Sequence, residues 1–191
     1  MGNFYTNVTV RGPDREQVVA AAEELGYCAF VSHTDAGLTV VCEERSDTQD
    51  PDVWRDVARQ LSLKLRCPAL AMLNHDDDVL IYALYQNGTL LDEYNSFPSY
   101  WINQDPPALP RGGNAGVLCE AFGMPGDADE VEHALRTTPH SEDPDPEDDF
   151  IFAVKRHIAL IGALDWPAVP CFNGFDYLKR KGMPPGWLFV G

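Results

Sequence analysis

Basic residues are scarce in this chain: 14 Lys and Arg stand against 30 Asp and Glu, for a net charge of −16. The deficit runs through both halves, with 16 acids and 7 bases in residues 1–100 and 14 and 7 in residues 101–191. No single acidic tail accounts for it. A surface of this sign repels nucleic acid phosphates, so a general DNA- or RNA-binding role is not expected. It keeps a protein soluble and steers basic partners toward it.

Long apolar runs are missing too. None approaches the roughly 20 residues that a membrane-spanning helix needs, and no basic start followed by an apolar stretch marks a secretory signal. The opening "MGNFYT" fits a Gly2-x-x-x-Thr6 acylation pattern. The same residues alternate like a first strand, and an acidic surface opposes anchoring to anionic lipid. No membrane partner is expected.

Cysteines are few and widely spaced. They stand at 28, 42, 67, 119 and 171, with no C-x-x-C pair and no zinc spacing. An odd count without a leader reads as reduced thiols in the cytoplasm. Catalytic signatures are also absent: there is no G-x-S-x-G elbow, no Walker A loop and no G-x-G-x-x-G after a strand. The chain leans away from an enzyme. No catalytic residue, cofactor or metal is expected.

What the chain does carry is ordered patterning. "FYTNVTVRG" alternates with a period of two, as a strand does. "PDREQVVAAAEELG" follows as a helix, with Pro13 suited to its first position and Gly26 to its stop. "YCAFVS" and "LTVVCEE" are two strands about a "TDAG" turn. A second helix begins with Asp50 as cap and Pro51 at its first position, burying Val53, Trp54, Val57, Leu61 and Leu65. "PALAML" is the fourth strand.

That order, βαββαβ, predicts an α+β fold with a ferredoxin-like core and an antiparallel sheet. Val8, Val10, Val19, Leu25, Phe30, Val40, Val57, Leu61, Leu70 and Met72 are its expected core. "VLIYALY" and "TLLDEY" extend it as a meander. They are joined by Asn87-Gly88, the strongest short hairpin signal, because both turn residues of a type I′ turn need positive φ. An uninterrupted hairpin would pair Tyr82 with Glu93.

Residues 1–98 are therefore expected to form an α/β sandwich. Residues 99–191 are expected to form a connector and a helical cap packed on it as one unit. In the cap, "NAGVLCEAFG" and "DADEVEHALR" read as helices, the latter with Asp127 and Glu130 in capping-box positions. "TTPHSEDPDPEDD" is an acidic loop, and "FIFAVKRHIALIGAL" is a helix with Ile151, Val154, Ile158 and Ile161 on one stripe. "NGFDYLKRKG" closes the chain as a short helix.

The candidate site lies in "LNHDDDVLIYALYQNGTLLDEYNSFPSYW". Asp76, Asp77 and Asp78 are consecutive, so they point in different directions, and a solvated turn is favoured over a Ca²⁺ or Mg²⁺ site. His75 beside them has no nucleophile to serve. Cys119 with His133 or His157 is set aside as a packed thiol. "RGGNAG" reads as a connector, and Lys179-Arg180-Lys181 as a complement to a helix C-terminus.

The aromatic group Tyr94, Tyr100 and Trp101, with His75, Asp76, Asp77, Asp78 and Glu93, is the expected binding surface for a partner or ligand. The function expected is a non-enzymatic interaction module of inhibitor, immunity or regulatory type that binds a basic protein. The alternative is a small-molecule sensor or enzyme, with a carboxylate- and aromatic-lined cleft between sheet and cap.

Overall fold

The computed structural model describes residues 2–102, 109–122, 128–138, 152–166 and 172–191. Among the described residues, eight strands form one antiparallel sheet: β1 (Tyr5–Arg11), β2 (Ala29–Val31), β3 (Leu38–Glu43), β4 (Pro68–His75), β5 (Val79–Gln86), β6 (Thr89–Asn95), β7 (Arg111–Gly112) and β8 (Leu188–Val190). Their order across the sheet is β7-β6-β5-β4-β1-β3-β2-β8. Six α-helices among the described residues accompany them: α1 (Arg15–Glu24), α2 (Pro51–Leu65), α3 (Ala115–Phe122), α4 (Ala128–Arg136), α5 (Ala153–Ala163) and α6 (Phe175–Lys181). The mixed α/β class is as expected. The full strand order is not that of a simple ferredoxin-like sandwich, because β5, β6 and β7 lengthen one end and β8 adds to the other.

By contacts the chain divides into two compact units. One holds residues 5–73, 83–91 and 167–191; the other holds 1–4, 74–82 and 92–166.

In the first unit, β1 pairs antiparallel with β3, Val8 opposite Val41 and Val10 opposite Thr39. Val8, Val10, Val40, Val57, Leu61, Leu70 and Met72 are buried as expected, each large side chain contributing roughly 1.5–3 kcal/mol. In α1, Val18, Ala21 and Ala22 are buried, while Val19 and Leu25, expected in the core, are half-buried. Asp14, not Pro13, begins the helix, with its carboxylate accepting from Gln17 N and the Gln17 side chain returning to Asp14 N. Pro13 therefore sits one residue outside the cap. Asp50 and Pro51 open α2 as expected. Trp54, Val57 and Leu61 are buried there, with Val53 and Leu65 half-buried.

Directly opposed antiparallel residues point the same way. Phe30 is opposite both Cys42 and Phe189, so these share one face of the sheet. Helix α6 covers that face: Phe30 meets Phe175 at 4.9 Å and Phe189 at 5.3 Å between ring centroids. Asn173 O accepts from Asn7 Nδ2 and from Cys42 Sγ. The first turn of α6 is held by the Asp47 carboxylate, which accepts from Asp176 N at 2.6 Å.

In the second unit, α3, α4 and α5 surround Tyr82, Tyr94, Leu118, Phe122, Val131, Leu135 and Leu160, all buried. The last carbonyls of a helix have no partner within it. Those of α4 are met by side chains from other elements. Arg156 of α5 donates to Ala134 O and Thr137 O, and the Tyr94 hydroxyl donates to Leu135 O. Of the stripe expected on α5, Ile161 is buried and Val154 half-buried, but Ile158 is 53% exposed, and Arg156 and His157 are buried instead. Ile151, Asp127 and most of the acidic loop lie outside the described residues.

The expected pairing of Tyr82 with Glu93 is corrected. The Tyr82 hydroxyl donates to Asp92 at 2.7 Å, and its ring stacks on Tyr94 at 5.3 Å. Ser96 N also donates to Leu80 O. Asp92 and Tyr94 therefore share the face of Tyr82, which requires one extra residue in β6, as a β-bulge supplies.

Candidate functional site

The site is built on the turn between β4 and β5. Asp76 and Asp77 have φ of 54° and 62°, and Asp78 N donates to His75 O at 3.0 Å, so they are the two central residues of a tight hairpin. Aspartate tolerates this left-handed conformation because its short side chain bonds locally. Asp77 accepts from Asn74 Nδ2 on one oxygen and from Asn3 N and Nδ2 on the other. Its carbonyl accepts from Ala153 N. Asp76 accepts from Gly2 N at 2.9 Å. A Cβ on Gly2 would lie 2.0 Å from Asp76 O, so the N-terminal segment packs on the turn in a way only glycine allows.

The aromatic half comes from the segment after β6. Asn95 Oδ1 accepts from Phe97 N, Tyr100 N donates to Phe97 O, and Ile102 N donates to Ser99 O. These consecutive turns set Tyr100 and Trp101 beside the hairpin. His75 lies edge-on to three rings: Phe4 at 4.9 Å, Trp101 at 5.5 Å and Tyr100 at 5.6 Å. Tyr100 and Trp101 stand at 86° to each other with centroids 5.0 Å apart. The Tyr100 hydroxyl donates to Asp78 Oδ2 at 3.1 Å. Burial and the nearby Asp78 and Asp76 carboxylates raise the Tyr100 phenol above its ordinary pKa.

This cluster faces solvent. Phe4 is 51% exposed, Trp101 57% and Ile102 68%. Three large apolar side chains left outside beside three carboxylates make an acid-rimmed aromatic face.

Six of the residues expected from sequence therefore come together: His75, Asp76, Asp77, Asp78, Tyr100 and Trp101. Tyr94 is used in the core of its unit, stacked on Tyr82 and bonded to Leu135 O, with burial pushing its phenol up to about 12. Glu93 is exposed on β6, and its carbonyl accepts from Gly113 N. Phe4 and Ile102 were not foreseen. In the sequence the only signal for Ile102 is its place beside Trp101 at the start of a proline-rich connector, and Phe4 carries only the alternation of a strand.

Among the described residues no group of three or more His, Cys, Asp or Glu is arranged to hold a metal ion. The start of α3 is filled by the protein itself. Asn114 Oδ1 accepts from Val117 N, and Asp92 accepts from Asn114 N at 2.7 Å. An open groove of about 370 Å³ lies in the other unit, lined by Cys28, Phe30, Phe175, Met183 and Phe189 with Lys179 on its wall. None of the carboxylates expected at the site lines it. The Cys28 thiol there is held above its ordinary pKa by burial and by Glu44, which keeps it protonated and weakly nucleophilic. No described helix is long and apolar enough to cross a membrane. No family model, curated protein or solved structure matches this chain.

Proposed function

We propose that this protein is a non-enzymatic interaction module, acting in the cytoplasm, that docks a basic protein partner as inhibitors, immunity proteins and regulators do. The observation that carries the reading is the group of exposed Phe4, Trp101 and Ile102 with half-buried His75 and Tyr100, set against Asp76, Asp77 and Asp78. Rings supply the desolvated anchor of an interface, and carboxylates around them supply attraction and orientation. The charge of −16 extends that attraction over the whole chain. No disulfide joins any of the described cysteines, in keeping with a reducing compartment.

A ferredoxin-like scaffold underlies this reading. Its support is the inner strand order β4-β1-β3-β2, with β1 antiparallel to β3 and β3 to β2. Such a scaffold carries no function by itself; the site does.

Capture from a lysate of the source cell tests the proposal. The wild-type protein should retain a basic protein that washes off between low and moderate salt, and Trp101→Ala should retain less of it. An acidic partner, or retention indifferent to salt and to Trp101, would defeat the reading. A second reading, binding of a small apolar molecule, is supported by the 370 Å³ groove beside α6. A metabolite that copurifies and is displaced by Met183→Trp would favour it.

A further inference from the structure

We infer that the group recognised on the basic partner is an arginine side chain, taken up where Trp101 and Tyr100 meet at a right angle beside Asp78 and Asp76. This rests on the docking reading above and specifies its chemistry. The corner is preformed. The rings stand at 86° with centroids 5.0 Å apart, and His75 braces both from 5.5 and 5.6 Å. Phe4 backs His75 at 4.9 Å. The Tyr100 hydroxyl holds only one oxygen of Asp78, and carboxylate oxygens accept more than one bond each.

A cation above an indole face is drawn to the ring's negative quadrupole. Of the two protein cations, the guanidinium suits this corner better. It is planar and weakly hydrated, so it can lie flat on Trp101. Its N–H groups then point outward toward the Asp78 carboxylate at the hydroxyl end of Tyr100. An ammonium is compact and strongly hydrated, and it loses more water to gain the same contact. Two perpendicular rings with the Asp78 carboxylate at the Tyr100 hydroxyl therefore select arginine over lysine at equal charge.

The test uses the intact protein and two capped probes, hexa-arginine and hexa-lysine, at moderate salt. Trp54, Trp166 and Trp187 are buried, so acrylamide-quenchable tryptophan fluorescence reports on Trp101. Hexa-arginine should bind roughly five- to tenfold more tightly than hexa-lysine and should shield Trp101 from acrylamide. In Trp101→Leu the two peptides should bind equally and weakly. Tyr100→Phe, which keeps the ring but loses the bond to Asp78, should narrow the preference. Equal affinity and equal shielding in the wild type would overturn the inference while leaving the electrostatic docking reading intact. So would an arginine preference that survives Trp101→Leu. If tetramethylammonium shields Trp101 as well as hexa-arginine does, the corner is a small-cation site and the arginine assignment fails. If neither peptide binds at any salt, the docking reading falls with it.

Discussion

The Tyr100 hydroxyl donates to the Asp78 carboxylate at 3.1 Å, joining the aromatic segment after β6 to the turn between β4 and β5. One bond thus ties the apolar half of the candidate site to its charged half. Trp101→Ala should weaken partner capture more than Asp76→Asn, Asp77→Asn or Asp78→Asn alone, because an anchor is lost outright while one charge among many is only diluted. With Trp101 57% exposed, its loss should change folding stability by no more than about 0.5 kcal/mol. Thermal unfolding and quantitative capture, run side by side on each variant, check both halves of the expectation.

Gly88→Ala should destabilise the protein by roughly 1 kcal/mol or more. Asn87 and Gly88 have φ of 52° and 79°, as the sequence led one to expect, and a Cβ at Gly88 would also stand 3.0 Å from Leu63 Cβ. Denaturant melts with an unchanged slope and a lower midpoint would confirm it; an unchanged midpoint would not.

Millimolar Ca²⁺ or Mg²⁺ should leave the melting temperature where it is, since a real site would raise it by mass action. The donors around Asp76, Asp77 and Asp78 are amides and a hydroxyl. Asp77→Asn should still cost about 1 kcal/mol. Both of its oxygens accept bonds, and in asparagine one becomes an NH₂ facing a donor. A metal-dependent rise lost in Asp77→Asn would contradict this picture.

His157 gives the fold a pH dependence. Burial holds its imidazole down to about 3, from an ordinary 6.5. Between those values the unfolded chain takes up a proton that the folded chain refuses, so stability is full above 6.5 and falls as the pH is lowered. At pH 5 the loss from this group is about 2 kcal/mol. Asp47 acts in the opposite sense: burial raises its carboxyl to about 6, so it favours the folded state as the pH falls toward its ordinary value of 3.8. The difference between wild type and His157→Leu isolates the histidine, and that difference should shrink from pH 7 to pH 5.

The elements set by local chemistry were legible in the sequence. Asp50-Pro51 opens α2, and Asn87-Gly88 turns the second hairpin, because each rests on a preference carried by the residues themselves. The features set by distant partners were not. An apolar period placed Ile158 inside α5, but the carbonyl ends of α4 draw in Arg156 instead. The bulge in β6 depends on Tyr82 finding Asp92 and Tyr94. At the site, the acids and rings of residues 75–101 are neighbours already in the sequence. Phe4 entered because Asn3 and Gly2 bond to Asp77 and Asp76, a contact no spacing announces. Tyr94 left because its hydroxyl found Leu135 O.

The central claim is that a basic protein docks on the face around Trp101. Photo-crosslinking from single positions tests it most directly. A benzoylphenylalanine replacing Ile102, 68% exposed beside Trp101, is compared in the source cell with one replacing Tyr177, 46% exposed on α6. The account predicts a crosslink from position 102 to a basic protein, weakened by added salt and absent from position 177. A crosslink from position 177 alone, or none from position 102 to any basic protein, would contradict it.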